Sequence, residues 1–444
     1  MPSRTTCEGF LSGLPLACNG LAERLEKGWR LLALAFFVMG AGAASAAPVD
    51  VYQGNLGAST EVVLELGAAD ADGRRQGRYF YRRNGVDIPL SGKLDALAEG
   101  LPLTNALVDT FGGPLGNGDF PLFADGQQRS VLWRARLDGD ALVGEWVDGI
   151  RGKKLPFSLK HIAHYDPEKI ANQTVDAVNL SYAQGASRGA AGGARISLRT
   201  TPYDFLRVSV PLEQGREVVL APGLAWRPVR DARTKFWYPR ISRHPDAATM
   251  AQANAVLEQR HWGMNLDALG CRGALYQNRA PDSGTLGNFE NEEVKVSYLS
   301  PTLMSVVESG SIGCGGAHPH NHYDPFTLDL LRGGYLDFSR ILRGYRYADY
   351  APQYGKSTLA LVEKQVAKHD TKGDDTGCTD VLPEFMRVYF ESPDRLAFVV
   401  SGIPHAMGVC LGTGVRLRFA QLKPLLVPTA ARYLYPSDAA PQGR

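Results

Sequence analysis

From about residue 47 to 165, apolar and polar side chains alternate in short runs. "TEVVLEL" (60–66), "GRYFYRR" (77–83), "VLWRARL" (131–137) and "ALVGEWV" (141–147) follow the two-residue period of a strand with one buried face. Asn84-Gly85 and Asp138-Gly139-Asp140 carry the residues that tight hairpin turns need. The runs between turns amount to seven or eight short strands with no helical period, which predicts an all-β meander. Closure into a small barrel is expected, because closure removes exposed strand edges. Tyr79, Phe80, Tyr81, Trp133 and Trp146 either line a ligand cavity in that barrel or fill it. Filling is the ordinary outcome for large aromatic side chains.

The pattern then breaks. Residues 166–200 include "SYAQGASRGAAGGAR", too poor in apolar surface to order itself, and are read as a linker. From 201 to 432 strands and helices occur in runs without regular βαβ alternation, which predicts an α+β domain with a mainly antiparallel sheet. "FLRVSVPL", "REVVLAP" and "KFWYPRIS" read as strands. Asp246 after Pro245 then caps a helix through "AATMAQANAVLEQRHW", with Met250, Ala253 and Leu257 on one face. A second helix is predicted in "STLALVEKQVAKH", where Leu359, Val362 and Val366 share a face, and strands return in "FMRVYFES", "RLAFVVSG" and "VRLRFAQL". Residues 433–444 read as a disordered tail.

Charge changes the picture little: 48 basic and 46 acidic residues leave no electrostatic footprint for nucleic acid. The N-terminus changes it more. Lys27 and Arg30 precede "LLALAFFVMGAGA" and then "ASAAP", the order of a secretory signal with Ala44-Ser45-Ala46 as its cleavage motif. Residues 1–46 are therefore expected to be removed, and the apolar run is shorter than the ~20 residues of a membrane span. Residues 1–27 are long for the start of a signal, and an upstream start codon or a short cytoplasmic segment would account for them. The mature chain keeps Cys271, Cys314, Cys378 and Cys410, an even number that in a periplasmic or secreted protein reads as two disulfides. Of the three connectivities, Cys271–Cys314 with Cys378–Cys410 keeps each crosslink within a continuous region. No two of these cysteines have zinc-knuckle spacing.

Motifs for chemistry are few. Gly185-Ala186-Ser187-Arg188-Gly189 matches G-x-S-x-G but lacks the strand and helix that a nucleophile elbow requires. "YGKST" imitates the end of a phosphate loop, yet Tyr350 stands where that loop needs glycine. Nothing implies a cofactor. In "CGGAHPHNHYDPFTLDL", His318, His320 and His322 would share one face of an extended segment, as a zinc site requires. Pro319 and Asn321 suit an irregular loop equally well, and exposed or structural histidines are the plainer reading. Gly315 and Gly316 permit a sharp turn.

After this turn, "YDPFTLDLLRGGYLDFSRIL" reads as a strand, a Gly333-Gly334 turn, a short strand and a helical turn capped by Asp337. The stretch resembles the RsiV-like extracytoplasmic domain family. The resemblance rests on Gly315, Gly316, Ala317 and His318, then Phe326, Leu328 and Asp329, then Gly334, Leu336 and Phe338. "PDRLAFVVSGIPHAMGVC" and "VRLRFAQLKPLL" extend it, with Leu422, Pro424 and Leu425 in the final helix, so that it covers about 235–430. It implies an α+β domain with Gly315–His318 as a fold-defining turn, in a family whose best-known member binds lysozyme. The expected function is that of an exported bacterial envelope protein, a non-catalytic binding module for a protein or a peptidoglycan fragment. The alternatives are a lysozyme-binding inhibitor and a cell-wall hydrolase using His318 and Asp324 as acid and base.

Overall fold

The computed structural model describes residues 48–99, 131–149, 151–166, 195–277, 280–314, 319–348, 351–369 and 378–434. The predicted leader, nearly all of the linker and most of the tail lie outside them. Strands β1 (Val49–Leu56), β2 (Thr60–Gly67), β3 (Arg74–Tyr81), β4 (Ile88–Lys93), β5 (Ala96–Glu99), β6 (Val131–Asp138), β7 (Ala141–Asp148) and β8 (Lys153–Tyr165) form a closed antiparallel barrel. Each strand pairs with the next, and β8 returns to β1.

Alternation fills the barrel. Leu64, Tyr79, Leu97, Trp133, Leu142 and Leu159 belong to its inner cluster and are at most 1% exposed. Tyr81 and Trp146 pack against that cluster. Phe80, between two inward tyrosines, must face outward, and it meets Tyr203 edge-on with ring centroids 5.0 Å apart. Four of the five aromatics thus belong to the interior, and the fifth docks the barrel on the first helix beyond the linker. The β6–β7 hairpin turns at Gly139, with φ 62°. Asn84-Gly85, by contrast, sits in a longer connection, since β3 ends at Tyr81 and β4 begins at Ile88. The extra length has a use. The Gly85 carbonyl accepts from Arg207 Nε at 2.6 Å, and Asp87 accepts from the Tyr203 hydroxyl and from Arg207 Nη1, each at 2.8 Å.

Tyr203 and Arg207 lie on α1 (Pro202–Val208), which takes the first half of the predicted strand "FLRVSVPL". Proline at the first helical position and Asp204 in the first turn are the start signals that outweigh its β-branched residues. At this junction Arg78 reaches Glu65 at 2.8 Å, Asp87 at 3.2 Å and Asp204 at 3.4 Å, with its guanidinium 4.2 Å from the Tyr203 ring centroid.

The remainder is built from small antiparallel sheets with helices packed on them. One sheet contains β9 (Glu213–Gln214), β10 (Val218–Ala221), β11 (Leu224–Arg230) and β12 (Tyr238–Arg243). A second contains β13 (Glu293–Leu299), β14 (Leu303–Ile312), β15 (His320–Asp329) and β16 (Gly334–Tyr335). After the hairpin β17 (Arg346–Ala348) and β18 (Ala351–Gln353), the helices α3 (Lys356–His369) and α4 (Cys378–Phe385) lead to a third sheet. It comprises β19 (Met386–Ser392), β20 (Arg395–Val400) and β21 (Gly414–Arg418).

Helix α2 (Ala247–Gln277) starts as predicted, with Asp246 Oδ1 accepting from the backbone N–H of Ala248 at 2.8 Å and of Thr249 at 3.0 Å. It continues well past Trp262, because residues 261–266 are buried on every side and packing replaces the amphipathic pattern. Leu257, Met264 and Ala268 of α2 share a core with Val306, Phe326 and Leu328. No helix among the described residues is long and apolar enough to cross a membrane. The cysteines pair as Cys271–Cys314 and Cys378–Cys410, with Cα atoms 4.7 and 5.1 Å apart.

Candidate functional site

Strand β15 organises the site. It pairs with β14 so that Gly310 faces His322, Glu308 faces Asp324 and Val306 faces Phe326. His322, Asp324 and Phe326 therefore project to one face. His320 lies at the exposed start of the strand. Gly315, Gly316, Ala317 and His318, the predicted turn, lie outside the described residues.

His322 is clamped between two acids. Its Nε2 lies 2.7 Å from Glu292 Oε2 and its Nδ1 lies 3.1 Å from Asp324 Oδ2, while Ser401 Oγ donates to the other Asp324 oxygen at 3.2 Å. A side chain at Gly310 would run into the Glu292 carboxylate, so this glycine keeps the pocket open for it. Burial disfavours the imidazolium, but the bonds to Asp324 and Glu292 outweigh it and push the His322 pKa up to about 10. Burial also opposes ionisation of Asp324, yet His322 and then Arg260 hold its carboxyl below the usual range. At Glu292 burial prevails and leaves the carboxyl above its ordinary value.

These contacts decide what His322 can do. An imidazolium donating through both nitrogens has no lone pair for a substrate proton or a metal ion. Asp324, the acid of the hydrolase reading, is committed to the same clamp. Among the described residues no group of three His, Cys, Asp or Glu side chains is arranged to hold a metal.

Beside the clamp, Glu308 receives Arg260 Nε at 2.9 Å and a second bond from Arg260 Nη2, and it also accepts from the Tyr238 hydroxyl. The Arg260 guanidinium lies 4.1 Å from the Phe326 ring centroid, and its Nη1 is 3.4 Å from the Tyr335 hydroxyl. Phe326 and Tyr335 in turn line an open cleft. Tyr345, Tyr347 and Tyr354 continue its wall around the β17–β18 hairpin, and Arg387 enters from the start of β19. Tyr345 and Tyr354 meet edge to face at 5.3 Å, which stiffens that wall.

Sequence reasoning fixed on the histidines and missed the tyrosines. A signal was available: five of the chain's 18 tyrosines fall within residues 335–354, far above an even spread, between glycines that break any regular element.

No family model and no curated protein sequence matches the chain. Among solved structures, a member of the DUF3298 family from Bacteroides fragilis is similar, with a TM-score of 0.32 and 12% sequence identity, over 50% of this chain and 95% of that chain.

Proposed function

We propose that the chain is an exported protein of a bacterial envelope, and that its C-terminal region binds a cell-wall fragment in the tyrosine cleft without acting on it chemically. The observation that carries this reading is the cleft itself. Its aromatic walls with one charged group match the usual lining of small-ligand sites. The resemblance of residues 235–430 to RsiV-like extracytoplasmic domains supports a binding role in an α+β fold. Two disulfides suit an oxidising compartment.

Retention of the mature protein on purified peptidoglycan tests the reading, with Tyr345→Ala as the cleft variant. Binding that falls at least tenfold in the variant supports it. Capture of a lysozyme in place of wall material would replace it with the inhibitor reading, and release of soluble wall fragments would replace it with the hydrolase. Export is tested separately by the intact mass of periplasmic material. The expected mass is that of a chain starting at Ala47 with all four cysteines oxidised.

A further inference from the structure

We infer that the surface built from residues 331–345 and 423–434 docks on an anionic lipid bilayer, independently of the cleft and of what the cleft binds. A net charge of +2 over the whole chain conceals a local excess there. The two segments carry Arg332, Arg340, Arg343, Lys423 and Arg432 against a single acid, Asp337. No basic run in the sequence shows this, because folding assembles it. The Arg343 N–H donates to the Leu425 carbonyl at 2.7 Å, the Val427 N–H to the Ile341 carbonyl at 3.1 Å and the Thr429 hydroxyl to the Arg340 carbonyl at 2.8 Å, so the segments lie side by side. The turn after β15 is tied to the same place. Asp329 accepts from the Tyr433 hydroxyl at 2.8 Å through Oδ2 and from the Arg332 N–H at 3.2 Å through its backbone carbonyl. The acids at hand are committed: Asp329 is buried, and Asp337 accepts from the N–H and the hydroxyl of Ser339 at 2.9 and 2.7 Å. Arg332, Arg343, Lys423 and Arg432 are exposed and pair with no acid among the described residues. A second observation selects the partner. Apolar side chains interleave with these cations: Leu331 is 48% exposed, Pro424 and Pro428 are exposed, and Leu426 and Val427 are half-buried. A soluble polyanion needs the charges alone, whereas a bilayer surface takes cations at its phosphates and shallow apolar groups just beneath them. The protein lies on such a surface and does not cross it.

The test is sedimentation of the full mature chain with vesicles of phosphatidylcholine, alone or with one-third phosphatidylglycerol. Partition onto the anionic vesicles is expected to be at least tenfold stronger and to weaken with salt. Arg343→Gln/Arg432→Gln should lower it by at least tenfold, since each cation near an anionic surface contributes about fivefold. Its melting temperature should not move, because both side chains are exposed. Arg134→Gln/Lys160→Gln removes the same charge from exposed positions on the barrel and should leave partition within about twofold. Leu331→Ser should lower the salt-resistant remainder by about threefold. Equal partition onto both kinds of vesicle, or equal losses from the two double variants, would overturn the inference. Binding to soluble polyphosphate without binding to vesicles would also overturn it, and would make the partner a phosphate polymer. None of these outcomes bears on the cleft, which retention on peptidoglycan tests separately.

Discussion

Nε2 of His322 lies 2.7 Å from Oε2 of Glu292, a carboxylate whose side chain is only 1% exposed, and no more than a tenth of the His322 side chain reaches solvent. This imidazolium is the counter-charge for two acids at once. His322→Ala therefore leaves Glu292 without its bonded cation and Asp324 with only the more distant Arg260. Breaking a buried pair from one side typically costs ~3–5 kcal/mol. Urea denaturation at pH 7 is expected to show a loss of that order, whereas His320→Ala should stay within ~0.5 kcal/mol. Equal, small effects would show that the clamp is not formed.

The same clamp predicts a pH dependence of one sign. The folded pKa of about 10 lies above the ordinary 6.5, so the stabilisation is fully present below pH 6.5 and is lost as pH rises through 10. Between these limits the folded state holds one more proton than the unfolded state, and stability should fall by up to ~1.4 kcal/mol per pH unit. His322→Gln should flatten that slope. A wild-type profile that rises across this window would contradict the assignment.

Zinc should not stabilise the protein, because coordination at His322 must first break a bond to Glu292 or Asp324. Melting curves at pH 7 with and without zinc are expected to coincide. A bound ligand at a hundredfold over its dissociation constant would add ~2.7 kcal/mol. A zinc-dependent gain of that size, absent in the His320→Ala/His322→Ala variant, would restore the metal site.

Where the sequence was legible, local chemistry and packing agreed. Asp246 starts a helix because its carboxylate can meet two free N–H groups, and the Asp138–Asp140 turn joins two strands whose alternation matches their burial. Where it was not, long-range contacts decided. His261 and Asn265 are fully buried in α2 and hide its amphipathic period. The Asn84-Gly85 connection is shaped by Arg207, 122 residues away from Gly85. His322 looks like its neighbour His320 in sequence, and its partner Glu292 stands 30 residues earlier on another segment. Inside the barrel, the half-buried Glu99 accepts from the Tyr79 hydroxyl at 2.6 Å and from Trp146 Nε1 at 3.4 Å, a polar knot that strand alternation alone does not show.

Arg78 fastens the barrel to α1, and its neighbours make it hard to replace. Arg78→Met would leave Glu65, Asp87 and Asp204 without their shared cation, and burial has already pushed the Asp204 pKa up to about 6. A loss of ~3–5 kcal/mol is expected in urea denaturation. Arg78→Lys should not rescue it, since a single ammonium cannot reproduce a fork that reaches three acids. Full rescue by lysine would mean that net charge alone, and not this geometry, holds the junction.

Two glycines in one hairpin separate barrel closure from turn strain. Gly144 on β7 lies between Ala135 of β6 and Phe157 of β8. A Cβ there would strike the Arg134 carbonyl oxygen and come 2.9 Å from Phe157 Cζ. The carbonyl belongs to the ladder and cannot retreat without breaking it, so the ring must move and the strands must part. Gly139, in the turn, has φ 62° and open space where a Cβ would go, so substitution there meets only backbone strain. Gly144→Ala is therefore expected to cost more than the ~1–2 kcal/mol that a left-handed alanine costs at Gly139. Trp133 reports which of the two has opened the barrel, because its ring packs 4.9 Å from Phe157 and is fully buried. Gly144→Ala should shift its fluorescence to the red, and Gly139→Ala should not. The reverse order in stability, with no shift from Gly144→Ala, would mean that β7 is not clamped between β6 and β8.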